Sequence, residues 1–289
     1  MKVVSFFLFL IPFFSLIFCS CTKIDAPYAT SKHGNIKDTT MNWDTIKAVR
    51  KILLEDYTGH KCVNCPEAAI TARSLEELHE GQLFVMAVHA GFYALPGTGD
   101  YTLDLRTQPG EDWNSEFKMV SYPNGMINRK DFGGSPILGP DKWGNSISEI
   151  IETLPDAQML IHNSYDSTSR TLLSTVFAHF INPMSGTYNI TLCILEDSIT
   201  GTQKNNNPNL GPYPDWYDYV FNHVLRESLN GSWGEVLTTS VDTGLTYMGR
   251  FSETIDPGLI ARNCWILAFI SNSSTKEIIQ VEKKKILPE

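Results

Sequence analysis

Residues 59–68 read GHKCVNCPEA, with Cys62 and Cys65 three apart and Pro66 directly after them. Three chemistries fit such a pair: a redox dithiol, half of a metal site, or a static disulfide staple. The flanks narrow the choice. Upstream, AVRKILLEDY (residues 48–57) is an apolar run closed by acids, which reads as a buried parallel strand. Downstream, Pro66 suits the first turn of a helix, where its missing N–H costs nothing. Ala68, Ala72, Leu75 and Leu78 then recur at helical spacing, so a helix is expected to about Glu80, stopped by Gly81. LFVMAVHAG (83–91) reads as a second buried strand. Strand, helix, strand of this length forms a right-handed βαβ unit.

Phe92 to Gly110 is rich in Gly, Pro, Thr and Asp and has no period, as in a long surface loop. Glu111–Val120 reads as a helix. SYPNGMINR reads as a turn into a short strand, Gly125–Asn128, and Trp143–Leu154 as an amphipathic helix. This order, with Tyr122-Pro123 ahead of the strand, resembles the thioredoxin fold. The resemblance implies a cis proline against the cysteine pair at Pro123 and a buried acid six residues before the first cysteine, at Asp56. The fuller pattern LLEDYTGHKCVNCPEA, VAVHAGF and YPNGMINR, with an exported N-terminus and a β-rich second half, is similar to the outer membrane protein 28-related lipoproteins of Bacteroidetes. That group implies a surface lipoprotein with adhesin-like roles.

The chemistry of the pair also follows from its setting. A thiolate is the reactive form of cysteine. A sulfur at a helix start meets unpaired N–H groups and the positive end of the dipole, both of which favour its ionised form. Lys61 and His60 add positive potential beside Cys62. The resemblance assigns attack to Cys62, resolution to Cys65, proton acceptance to Asp56 and shaping of the partner groove to Pro123. His89 and Tyr122 are expected to line the same site. Zinc would require two further ligands, and the remaining cysteines of the mature chain, Cys193 and Cys264, stand alone in strand-like segments, so no metal or cofactor is expected. The acids Asp100, Asp104, Glu111 and Asp112 lack the spacing of an EF-hand loop. No P-loop, dinucleotide fingerprint or Ser-His-Asp order is present.

At the N-terminus, Lys2 precedes an apolar run, Val3–Phe18, too short to span a bilayer but suited to a signal-peptide core. It ends in FCSCTK, which resembles a lipobox, with Ser20 before Cys21. Residues 1–20 are thus expected to be removed, Cys21 to carry lipid, and 21–44 to form a flexible tether. The protein is expected at the cell outer membrane, on its periplasmic or its outer face. A net charge of -9 disfavours nucleic acid as a partner.

The text changes character near Pro155. AQMLIHNSY, TLLSTVFAHF, GTYNITLCILE, FNHVLRESL, GRFSETI, CWILAFIS and EIIQVEKKKI alternate with Gly, Asn, Pro and Ser. About seven short strands suggest an immunoglobulin-like sandwich. A helix over 215–229 is the alternative for that segment. The expected division is therefore an α/β thioredoxin-like domain, 45–154, followed by an all-β sandwich, 155–289. Cys193 and Cys264 are candidates for a disulfide in an oxidising envelope. The polar loop before Pro214, with Trp216, Tyr217 and Tyr219, is a candidate contact surface for a host protein or glycan. Two functions stay open: thiol–disulfide exchange with a protein partner, or ligand binding by a surface protein whose disulfide is inert.

Overall fold

The computed structural model describes residues 42–287; the expected signal peptide, Cys21 and most of the tether lie outside them. The fold is β-rich. Strand β1 (Ile52–Thr58) is buried along its whole length, as its unbroken apolar run requires. Helix α1 (Cys65–Leu78) follows, then β2 (Leu83–His89), which pairs with β1 in parallel from Ile52↔Leu83 to Thr58↔His89. A long loop leads to α2 (Gln108–Glu116), whose N-cap Thr107 accepts a hydrogen bond from Gly110 N. Next come β3 (Asn124–Ile127), antiparallel to β1, β4 (Ile137–Leu138) and α3 (Pro140–Ile150). Ile52 and Leu54 face α1 and α3 across one apolar cluster, whereas Leu53 and Tyr57 face the other way.

The second half supplies β5 (Ala157–Asp166), β6 (Thr171–Phe180), β7 (Tyr188–Glu196), β8 (Ile199–Lys204), β9 (Asp215–Phe221), β10 (Val224–Ser228), β11 (Glu235–Thr238), β12 (Thr246–Thr254), β13 (Cys264–Asn272) and β14 (Ile278–Lys285). The segment 215–229 is thus two strands, not a helix. One mixed sheet runs β14-β13-β7-β10-β2-β1-β3-β4, with β11 on β7; β12-β6-β5 form a second, antiparallel sheet. Strands β8 and β9 pair only with each other among the described residues.

The expected boundary at residue 154 falls between α3 and β5, yet the large sheet crosses it through the pairing of Val224 with Ala87. The sheet curls until β14 returns to β1: Lys51 N donates to Gln280 Oε1 at 2.9 Å and Ile278 N to the Asn128 carbonyl at 2.8 Å. The inner face of this curl holds one cluster drawn from both halves, including Leu53, Met86, Trp113, Leu195, Phe269 and Val281. Within it Arg129 forms a two-pronged ion pair with Glu55, at 2.8 and 2.7 Å, and its guanidinium lies 4.8 Å from the Trp113 ring centroid and 5.1 Å from that of Phe269.

Cys193 and Cys264 are both free and buried. Alternation along the strand separates them. Cys193 faces the inner cluster with Leu195, while Cys264 faces the second sheet with Ile266 and Ala268. The candidate disulfide between them is absent, because the two side chains lie on opposite faces of the sheet. Burial pushes both thiols up to about 12, so each behaves as a small apolar side chain.

Candidate functional site

Cys62 and Cys65 are joined by a disulfide, with Cα atoms 5.4 Å apart. Cys65 opens α1 and Pro66 sits in its first turn. The loop before them is tightly packed. A Cβ on Gly59 would lie 2.5 Å from the Tyr93 carbonyl carbon, so only glycine admits the approach of residues 93–94. Lys61 N donates to the Tyr93 carbonyl at 3.0 Å, and the Lys61 ammonium lies 5.4 Å from the Phe92 ring centroid.

Asp56 lies on β1, opposite Gly125 of β3 and Ala87 of β2. It is buried, its Oδ1 has no hydrogen-bond partner in the protein, and burial lifts its carboxyl to about 7. It lines a cavity of about 80 Å³ with Ala69 and Arg73 of α1 and with Tyr219 and Val220 of β9. Pro123 precedes β3, so the Tyr57↔Asn124 pairing brings it beside the end of β1, where the chain turns toward the cysteines. The Tyr122–Pro123 peptide is cis. Pro123 and Asn64 line one groove between α1 and α3.

His60 and His89 are both buried. His60 stacks on Tyr101 with ring centroids 5.9 Å apart, and neither of its nitrogens makes a side-chain hydrogen bond. Its pKa falls below the ordinary histidine value, through burial first and then Lys61. His89 sits edge-on to Phe221 and is depressed to about 3, through burial and then the neighbouring His60. Both are neutral at physiological pH. The Tyr122 hydroxyl donates to Asn114 Oδ1, and burial raises it to about 12. The loop acids are engaged locally: Asp104 by Arg106, Glu111 by Gly91 N, Asp112 by Gln108 and Ser232.

One set of contacts lay outside the sequence reading. Part of the polar stretch before Pro214 meets the chain's own cysteine loop. Lys204 N donates to the His60 carbonyl at 2.8 Å and Asn206 N to the Val63 carbonyl at 3.0 Å. Gln203 Nε2 donates to the Cys62 carbonyl at 2.8 Å, and Asn206 Nδ2 to Asn64 Oδ1 at 2.6 Å. Cys62 is only 3% exposed and Cys65 2%. The signal was a polar residue, Gln203, near the end of a short strand, just before a loop that carries Pro and Gly. Nothing local tells such a residue from one facing water.

The fold is β-rich and carries a disulfide at the start of a helix, a buried acid on the adjoining strand and a cis proline before the strand that pairs with it. The chain belongs to the outer membrane protein Omp28 family, whose model matches residues 111–289, and this associates it with the outer membrane. The matched span begins after the cysteine loop. Among curated proteins none matches. HBP35 of Porphyromonas gingivalis is similar in fold, with 15% identity and a TM-score of 0.59 over 83% of this chain and 76% of that one. A structural-genomics protein from Agrobacterium tumefaciens is similar at 11% identity and TM-score 0.51, over 84% and 97% of the two chains. A domain of the outer membrane lipoprotein Omp28 from Porphyromonas gingivalis aligns at 19% identity and TM-score 0.31, over 47% of this chain and 93% of that domain, too low to carry an argument.

Proposed function

We propose that the protein is an outer-membrane lipoprotein, tethered through Cys21, whose thioredoxin-like first half carries out thiol–disulfide exchange at Cys62 and Cys65. An immunoglobulin-like second half braces that module. The observation that carries the reading is Asp56. Asp56 is buried with its Oδ1 lacking a hydrogen-bond partner, an arrangement that lowers stability. Poised at about 7, it is matched to proton transfer at neutral pH. The dipole of α1 and the Lys61 ammonium favour the thiolate of Cys62.

In this reading a partner thiolate attacks Cys62 Sγ and forms a mixed disulfide. The Cys62–Cys65 bond breaks, and the departing Cys65 sulfur takes a proton from neutral Asp56. A second thiolate of the partner then attacks the partner's own sulfur in the mixed disulfide. The partner leaves as a disulfide, and the Cys62 sulfur is released reduced. In reverse, Asp56 accepts the Cys65 proton as Cys65 attacks. The test is mixed-disulfide lifetime. With oxidised glutathione, reduced Cys65→Ser should accumulate a stable adduct on Cys62, wild type should resolve it, and Asp56→Asn should resolve it about tenfold more slowly at pH 7. No adduct on Cys62 in the Cys65→Ser variant would reject the reading.

The burial of both sulfurs favours a second reading, a ligand-binding outer-membrane protein with an inert disulfide. Under it, Cys62→Ser with Cys65→Ser would leave every function of the protein intact.

A further inference from the structure

We propose that the β8–β9 hairpin is a lid latched over the Cys62–Cys65 disulfide, and that exchange begins only after the latch opens. The inference rests on the exchange reading above and adds the device that controls it.

The hairpin is held in two different ways at its two ends. At its base, Ile199, Tyr219 and Phe221 pack with Leu103, Leu105 and Val224 in an apolar cluster separate from the main cores. At its far end the attachment to the cysteine loop is polar. It consists of five hydrogen bonds from Gln203, Lys204 and Asn206 to residues 59, 60, 62, 63 and 64. Such bonds each contribute little net, because water or another peptide replaces them readily. The apolar base has no comparable substitute in water. The weak end is therefore the latch and the apolar end the hinge.

The tip does not depend on the latch for its own shape. The buried Asn205 side chain donates to the carbonyls of Asn207, Pro212 and Gly211, and Asn205 N donates to the Pro214 carbonyl. The hairpin thus moves as a formed unit. A second tie joins it to the loop before α2: Asp215 accepts from the Lys204 ammonium at 2.7 Å and from the Tyr101 hydroxyl. Because β8 and β9 pair with no other strand among the described residues, opening breaks no rung of the large sheet.

When the latch opens, the carbonyls of His60, Cys62 and Val63 are freed together, beside exposed Val63 and Phe92. That is a cluster of carbonyl acceptors on a turn with an apolar border, suited to hydrogen-bonding a polypeptide segment that bears the partner thiol.

The test uses the whole protein and dithiothreitol. A dithiothreitol thiolate attacks Cys62 Sγ, and its second thiol then closes the reagent's own ring. Two electrons and two protons pass to Cys62 and Cys65. Gln203→Ala is expected to raise the second-order rate of this reduction about tenfold. Alkylation of buried Cys193, which reports global opening, should stay unchanged. In wild type, the Lys204 and Asn206 amides should exchange with deuterium far faster than those of Leu192–Leu195 in β7. Equal reduction rates in a folded Gln203→Ala variant, or lid amides as protected as those of β7, would overturn the lid. The exchange measurement decides the matter if the variant does not fold. The two readings fail separately: a mobile lid over an ordinary, unreactive Cys62 removes the exchange function alone, whereas a reactive Cys62 under an immobile hairpin removes the lid alone.

Discussion

At the scale of single residues, two buried acids have opposite consequences. Glu55 is matched by Arg129, which also lies against Trp113 and Phe269. Removing one partner leaves a charge buried alone, so Arg129→Met should cost about 3–5 kcal/mol, and Glu55→Gln added to it should recover a large part. Denaturant unfolding of the two single variants and the double variant checks this. Asp56 has no such partner. Its folded pKa, about 7, lies above the unfolded value of 3.8, so the fold favours its neutral form. Below about pH 4 it costs nothing. Stability is lost as pH rises from about 4 to about 7 and stays lost above that. Asp56→Asn should therefore match wild type at pH 4 and exceed it by about 1–3 kcal/mol at pH 8, read from thermal unfolding at each pH. Asp56 and Pro123 were legible through the thioredoxin resemblance, which implies a buried acid and a cis proline at those positions, and both features are present. Gln203 and Arg129 were not, because their partners lie 141 and 74 residues away.

At the scale of elements, periodicity was informative wherever one core covers each face. β1, β2 and α1 appeared where the apolar pattern put them. The α2 and α3 helices begin a few residues earlier than expected, since Pro109 and Pro140 fit first-turn positions that the apolar pattern alone does not mark. In the second half, alternation in TYNITLCILE gave the correct strand. The same alternation forbids the Cys193–Cys264 bridge, because residues of opposite parity on paired antiparallel strands face opposite sides; Cys193 in fact pairs with Leu267 and Cys264 with Glu196. The close approach at Gly59 belongs to this scale too. Gly59→Ala should force residues 92–94 away from the cysteine loop and lower stability by about 1–3 kcal/mol, seen as a fall in Tm with altered near-ultraviolet dichroism from Tyr93.

At the scale of the whole molecule, the curl of the large sheet matters most. The strand pattern revealed two regimes of text, but pairing across them is a long-range property that no local pattern carries. Leu53, Phe84, Met86 and Val88 bury their side chains against residues of β7, β10, β13 and β14. A fragment of residues 45–154 should therefore lack cooperative unfolding and expose apolar surface, detectable by dye binding, while the full chain melts in one transition. The proposed anchor at Cys21 belongs here as well. Cys21→Ser should shift the protein from the membrane fraction to the soluble one, with its fold unchanged.

The central claim is that Cys62 is an activated sulfur. After full reduction, its rate of alkylation by iodoacetamide should be measured from pH 5 to 9 with Cys193 and Cys264 as internal references. The account predicts rapid labelling of Cys62 that is already half-maximal below pH 7, against negligible labelling of the two buried thiols. A Cys62 that labels only as pH approaches the ordinary thiol value of about 8.5, or no faster than Cys193, would contradict it.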